Sequence, residues 1–180
     1  MKKQILFSVL GGLILWIWQF VSFMAANLHK DSVAMAPNQE KVMQFLDENI
    51  GKDGAYLLPQ PDHVITDMEE ASEYEKSVQG KPWARIFYYE SYDTNMNMNI
   101  IRGLLTNIVL IFLFSMVLKL IPNRSLSQNL MVSLVTGLIV FINGIYTSHM
   151  WYPLFDLNIH LLDCLVEWAA IGLLAKFIKF

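Results

Sequence analysis

His160, Asp163 and Glu167 stand at offsets of 0, 3 and 7 inside an otherwise apolar run. At about 3.6 residues per helical turn they fall within about 60° of one another, on one stripe. An imidazole and two carboxylates so placed suit three kinds of chemistry. Together, and joined by His149 or Asp156, they have the ligand types for a Zn, Mn or Fe ion that activates water in a hydrolase. They can bind a small ligand or a lipid head group. They can also lock helices together, with Arg102 paired to Asp163 or Glu167 and neighbouring amides hydrogen-bonded between helices. The spacing H-x-x-D-x-x-x-E matches no strong catalytic motif.

Other apolar runs carry polar groups at comparable positions: Gln19 and Ser22 in the first, Arg102 and Asn107 in the second, Asn143 and Tyr146 in the third. Polar side chains in hydrocarbon are costly and turn toward a protein interior. Gln19, Arg102, Asn107, Asn143, Tyr146, His160, Asp163 and Glu167 are therefore the candidate pocket. Glu167 lies about 15 Å along its helix, near a bilayer midplane. The opposite halves offer Ser8, Gly11, Ser115, Ser133, Thr136 and Gly172, small or weakly polar. A pocket open outward and closed below is expected, which argues against a single-chain channel or transporter. His29 and His63 read as solvated or packed in a polar segment. Cys164 reads as facing lipid or another helix, with no nucleophilic role. The pattern Asn95-Met96-Asn97-Met98-Asn99 offers thioethers for Cu(I), but without Cys or His beside it reads as a turn into the next run.

The elements that must position these groups follow from composition. Of 180 residues, 54% are hydrophobic and 16% charged, against about 25% charged in a soluble domain. Four apolar stretches, 5–26, 100–121, 130–148 and 157–177, each approach or exceed the roughly 20 residues that cross a bilayer. Lys2, Lys3, Lys119, Arg124, Lys176 and Lys179 gather at one set of ends, which places both termini in the cytoplasm. A basic start and Met24-Ala25-Ala26 resemble a signal peptide, but the run over 5–26 exceeds the usual apolar core of about 7 to 15 residues, so a retained anchor is expected. Trp151 and Tyr152 suit a membrane interface.

Residues 27–98 form a separate outer lobe with 13 acidic and six basic side chains; the remainder has three acidic and seven basic. Helical spacing predicts a helix over Asn38 to Ile50. Thr66 and Glu69 resemble a capping box opening a second helix through Val78, and Ala55–Leu58 and Trp83–Tyr89 read as strands. The fold class is an all-α membrane bundle of four transmembrane helices with a small α+β periplasmic insertion between helices 1 and 2. A lobe this small is marginal alone and should rest on the membrane helices or a partner. Gly12-Leu13-Ile14 is echoed by Gly137-Leu138-Ile139, compatible with a duplicated two-helix unit, although apolar segments share so small an alphabet that chance accounts for it.

The single cysteine excludes an internal disulfide and a Cys-based zinc site. A net charge of -3 without a basic block argues against nucleic acid as a partner. No nucleotide, haem or nucleophile motif is present, so no cofactor is expected. The reading is a non-enzymatic accessory or assembly subunit, in contact with membrane lipid and with a membrane-protein partner or a second copy. Periplasm-facing binding of a small ligand or lipid is the alternative, and the metal-dependent hydrolase a further one.

Trp18-Gln19, Gly54-Ala55-Tyr56-Leu57-Leu58-Pro59, Gly80-Lys81-Pro82-Trp83-Ala84, Asn97-Met98-Asn99 with Arg102-Gly103, and His149-Met150-Trp151-Tyr152 together resemble an uncharacterised family of small bacterial four-span inner-membrane proteins. The resemblance runs from Trp18 to Glu167. It implies a bacterial cytoplasmic membrane with the lobe in the periplasm, and it brings no activity, cofactor or catalytic residue.

Overall fold

The computed structural model describes residues 1–178; Lys179, one of the expected basic flanking residues, lies outside them. In chain order the elements are α1 (Lys2–Phe20, prolonged by a π-helical segment Val21–Ala25), α2 (Gln39–Asn49), β1 (Gly54–Leu58), α3 (Met68–Val78), β2 (Ala84–Tyr88), α4 (Met96–Lys119), α5 (Leu126–Val140, then π-helical Phe141–Tyr146), α6 (Thr147–Trp151) and α7 (Leu157–Phe177). The chain is mostly helical, and four helical stretches, Lys2–Ala25, Met96–Lys119, Leu126–Trp151 and Leu157–Phe177, are long and apolar enough to cross a membrane. Each begins no later than its apolar run, because polar residues join the first turns. The Asn95 side chain caps α4 by accepting from Met98 N at 3.1 Å. The Asn-Met patch is thus the helix start itself rather than a preceding turn. Ser125 and Gln128 form a reciprocal capping box that opens α5.

Two compact units make up the chain. One contains Met1–Ala34 and the chain from Asn95 onward; the other is Met35–Thr94. The second compact unit is shorter at both ends than the expected lobe of 27–98. Asn27 adopts a left-handed φ of 47°, Leu28 N bonds back to Ser22 O at 2.8 Å and Ser32 N to His29 O at 2.9 Å. These turns fold 27–34 onto the helical unit.

In that unit α1 packs against α4 and α7, and α5 against α7. Glycines set the close approaches. A Cβ on Gly12 would come within 2.8 Å of the Ile108 backbone, one on Gly137 within 2.3 Å of the Trp168 ring, and one on Gly172 within 2.9 Å of Leu130 Cα. The echoed Gly12 and Gly137 both mark contact with the next long helix. Phe7, Leu15, Ile111, Phe114, Trp168 and Ile171 form the core, with Trp168 edge-on to Phe114 at 5.0 Å. Cys164 is buried in this core, facing other helices rather than lipid. Only 17% to 33% of each long apolar window is buried, and Ile17, Phe20, Leu113, Met116 and Ile139 are exposed. Apolar surface on that scale suits hydrocarbon better than water.

The basic ends hold more polarity than expected. Since α1 starts at Lys2, Gln4 is buried, donates to Ser115 Oγ at 2.8 Å and accepts from Lys119. Arg124 donates to Ile121 O at 3.0 Å, to Leu118 O, and from Nε to Asn129 Oδ1 at 3.0 Å. It thereby caps the terminal carbonyls of α4.

In the second unit β1 and β2 pair antiparallel from Gly54↔Tyr88 to Leu58↔Ala84. The cap of α3 is Asp67, one residue beyond the expected Thr66, with Oδ1 accepting from Glu70 N at 2.8 Å. Tyr88 is the only fully buried side chain, its hydroxyl donating to Asp47 Oδ1 at 2.8 Å. Neither α2 nor α3 buries a residue.

Candidate functional site

Asp156, at the N-terminal boundary of α7, and His160 and Asp163 within it recur at intervals of four and three, so one face of the helix carries all three. Trp18 and Ser22, four apart at the end of α1, meet that face. Asp163 Oδ1 accepts from Trp18 Nε1 at 3.0 Å and from Ser22 Oγ at 2.8 Å. The turns after α1 then deliver His29. Its Nε2 lies 2.8 Å from Asp163 Oδ2 and its Nδ1 2.6 Å from Asp156 Oδ2. The ring stacks on Phe23 at 3.8 Å with planes 6° apart.

His29, Asp156 and Asp163 are all buried. Burial opposes the charged imidazolium, but the hydrogen bonds it donates to Asp156 and Asp163, with their negative charge, outweigh it and hold the His29 pKa above its ordinary 6.5. His160 Nε2 lies 3.5 Å from the other Asp156 oxygen, and the His29 and His160 rings are 4.7 Å apart. One ligand atom each from His29, Asp156 and His160 fall within 4.8 Å of one another. Beside Asp156 opens a hollow of ≈ 700 Å³, walled by Leu28, Lys30, His149 and Phe155 among others. Leu154 N donates to His149 Nδ1 at 2.9 Å.

Further along α7, Glu167 is half-buried and within hydrogen-bond reach of Gln19. Gln19 Oε1 in turn accepts from Asn107 Nδ2 at 2.9 Å. Gln19 therefore ties Asn107 on α4 to Glu167 on α7.

Of the residues expected to share a pocket, the structure brings together His160 and Asp163 in one cluster and Gln19, Asn107 and Glu167 in the next. Arg102 does not join either. It is exposed, and none of the ion pairs among the described residues includes it. The reason is packing order: α1 packs against both α4 and α7, so α1 supplies the partners of Asp163. Asn143 and Tyr146 are also exposed. Phe141 and Ile145 take the inward side of their segment, and Asn143, two positions from Phe141, points the other way.

The metal set expected from sequence was His160, Asp163 and Glu167. The three-residue group that converges is His29, Asp156 and His160, while Asp163 serves as hydrogen-bond partner of His29 and Glu167 stands apart with Gln19. Sequence reasoning gave His29 and Trp18 no part in the site, and named Ser22 only as a polar group of the first apolar run. The available signal was a histidine a few residues past an apolar run, with turn-forming Asn27 between them.

No known protein family, curated protein or solved structure matches the chain. The chemistry of the site thus rests on its own donors: two imidazoles and two carboxylates in a buried array, with an aromatic ring and an indole N–H holding them in place.

Proposed function

We propose that this is a multi-pass protein of a bacterial inner membrane, with both termini cytoplasmic and Met35–Thr94 in the periplasm. It acts as a non-enzymatic accessory or assembly subunit of a membrane complex. Four apolar helices, the basic residues at one set of their ends and the resemblance to small inner-membrane proteins support the placement.

One observation carries the accessory role. In Met35–Thr94 only Tyr88 is fully buried, while Phe45, Trp83 and Phe87 are 63%, 54% and 56% exposed. A unit with so thin a core is stabilised by a surface that covers these rings. Exposed Arg102 and Asn143 on the long helices add polar groups that a protein neighbour would satisfy better than lipid. Gentle detergent extraction followed by mass analysis should recover a defined membrane-protein partner or a second copy, and F45S and W83S together should release it. A clean monomer overturns the reading. The hollow beside Asp156 favours a second one, binding of a small solute or lipid head group, and such a molecule retained in the same preparation would support it.

A further inference from the structure

We infer that His29, Asp156 and His160 form a binding site for one divalent first-row cation of the zinc class. This goes beyond the accessory reading and does not depend on any partner. The first observation is convergence. Nδ1 of His29 and Nε2 of His160 face different oxygens of the same carboxylate, Asp156, at 2.6 and 3.5 Å. The three side chains come from two segments far apart in sequence, and their ligand atoms lie within 4.8 Å of one another.

The second observation is independent of the first. The far nitrogen of His29, Nε2, is held by Asp163, which is itself fixed by Trp18 and Ser22. Metal-bound histidines characteristically donate their other N–H to a carboxylate, which sets the tautomer and aims the free nitrogen at the ion. Asp163 does this for His29, leaving Nδ1 to face Asp156. A simple helix lock needs the His29–Asp163 contact but has no use for His160 beside Asp156. The ring of His29 is also fixed by stacking on Phe23, so little reorganisation is needed.

Donor types select the ion. Two imidazoles and one carboxylate suit Zn²⁺ and its neighbours and not Mg²⁺ or Ca²⁺, which take oxygen ligands. Three protein ligands leave a fourth position open, and Asp156 also lines the neighbouring hollow. On binding, the proton shared by His29 Nδ1 and Asp156 leaves to solvent, the other proton stays on His29 Nε2 and is donated to Asp163, and the two carboxylates balance the double positive charge.

The test uses the full-length protein in micelles, stripped with a chelator and titrated with Zn²⁺ alone against a competing chelator. Wild type should bind one ion per chain, and Co²⁺ in its place should give visible absorption bands of a nitrogen- and oxygen-ligated site of low coordination number. H160A and D156N should each weaken binding by more than about 100-fold, and D163N by about 10- to 100-fold with stoichiometry kept. H63A, in the other unit, should leave it unchanged. The Co²⁺ spectrum needs no variant, so misfolding of one cannot obscure the result. Absence of saturable Zn²⁺ binding by wild type, or wild-type affinity retained in H160A and D156N, overturns the site.

Discussion

His29 and Asp163 are 134 positions apart, yet Nε2 of one lies 2.8 Å from the carboxylate of the other. This contact fastens the turns that follow α1 to the first half of α7. Both side chains are almost fully withdrawn from solvent, at 3% and 12% exposure. Ion pairs so buried add little when compared with an apolar pair, but breaking one leaves an uncompensated charge.

Removing one partner should therefore be costly. H29A, measured by unfolding of metal-stripped protein in detergent, should lose about 3 to 5 kcal/mol of stability. D163N should also destabilise, and the double variant should cost less than the two losses added, because the second change removes the charge stranded by the first. Strict additivity would show that the two groups do not interact.

The glycines offer a sharper contrast. G137A drives a Cβ into the Trp168 ring, and G12A drives one into the Ile108 backbone. Each should destabilise by about 1 to 3 kcal/mol, the range for overpacking, with G12A the less relievable since backbone cannot rotate away. A Cβ on Gly103 of α4 would meet nothing within 4 Å beyond its chain neighbours and its own helix backbone. G103A should be neutral or stabilising by up to about 1 kcal/mol through helix propensity. Thermal melting of the three variants side by side decides the matter; a G103A loss as large as that of G12A would contradict the packing.

In the second unit His63 bonds Asp62 at 2.7 Å and also meets Glu70. The Asp62 bond, then Glu70, raises the His63 pKa above 6.5, and His63 in turn holds Asp62 and Glu70 below their ordinary values. The sign follows. The histidine contribution is full below its unfolded value of 6.5 and fades as pH rises through the raised folded value; the carboxylate contributions are present above the ordinary carboxylate pKa and fade on acidification through the lowered ones. NMR titration of labelled histidine in the full chain should place His63 above 6.5, with D62N and E70Q each shifting it down. A wild-type value at or below 6.5 refutes the arrangement.

Topology has its own measurement. Lys2, Lys3, Lys119, Arg124 and Lys176 lie at the ends expected to be cytoplasmic. A reporter that works only after export, fused behind Phe180, should be silent, and the same reporter inserted near Asp62 should be active. The reverse pattern would invert the proposed orientation.

The four long helices were legible because hydropathy accumulates over some 20 consecutive residues, a local quantity that needs no knowledge of packing. The shared face of His160 and Asp163 was legible for a similar reason, since helical periodicity alone puts them there. Asn38–Ile50 and the two strands were close to their observed bounds because Pro, Gly and alternation act over short distances. Which side chain meets Asp163 was not so encoded. All four long helices present similar apolar surfaces, and their pairing is decided by shape: Gly12 lets α1 close on α4, while Gly137 and Gly172 let α5 close on α7. That pairing left Arg102 outside. The left-handed turn at Asn27 then carried His29, read from sequence as part of a polar lobe, into the space Arg102 was expected to fill. Local composition determined the elements and their polar stripes, whereas the contacts between stripes depend on complementary surfaces distant in the chain, which only the tertiary structure brings face to face.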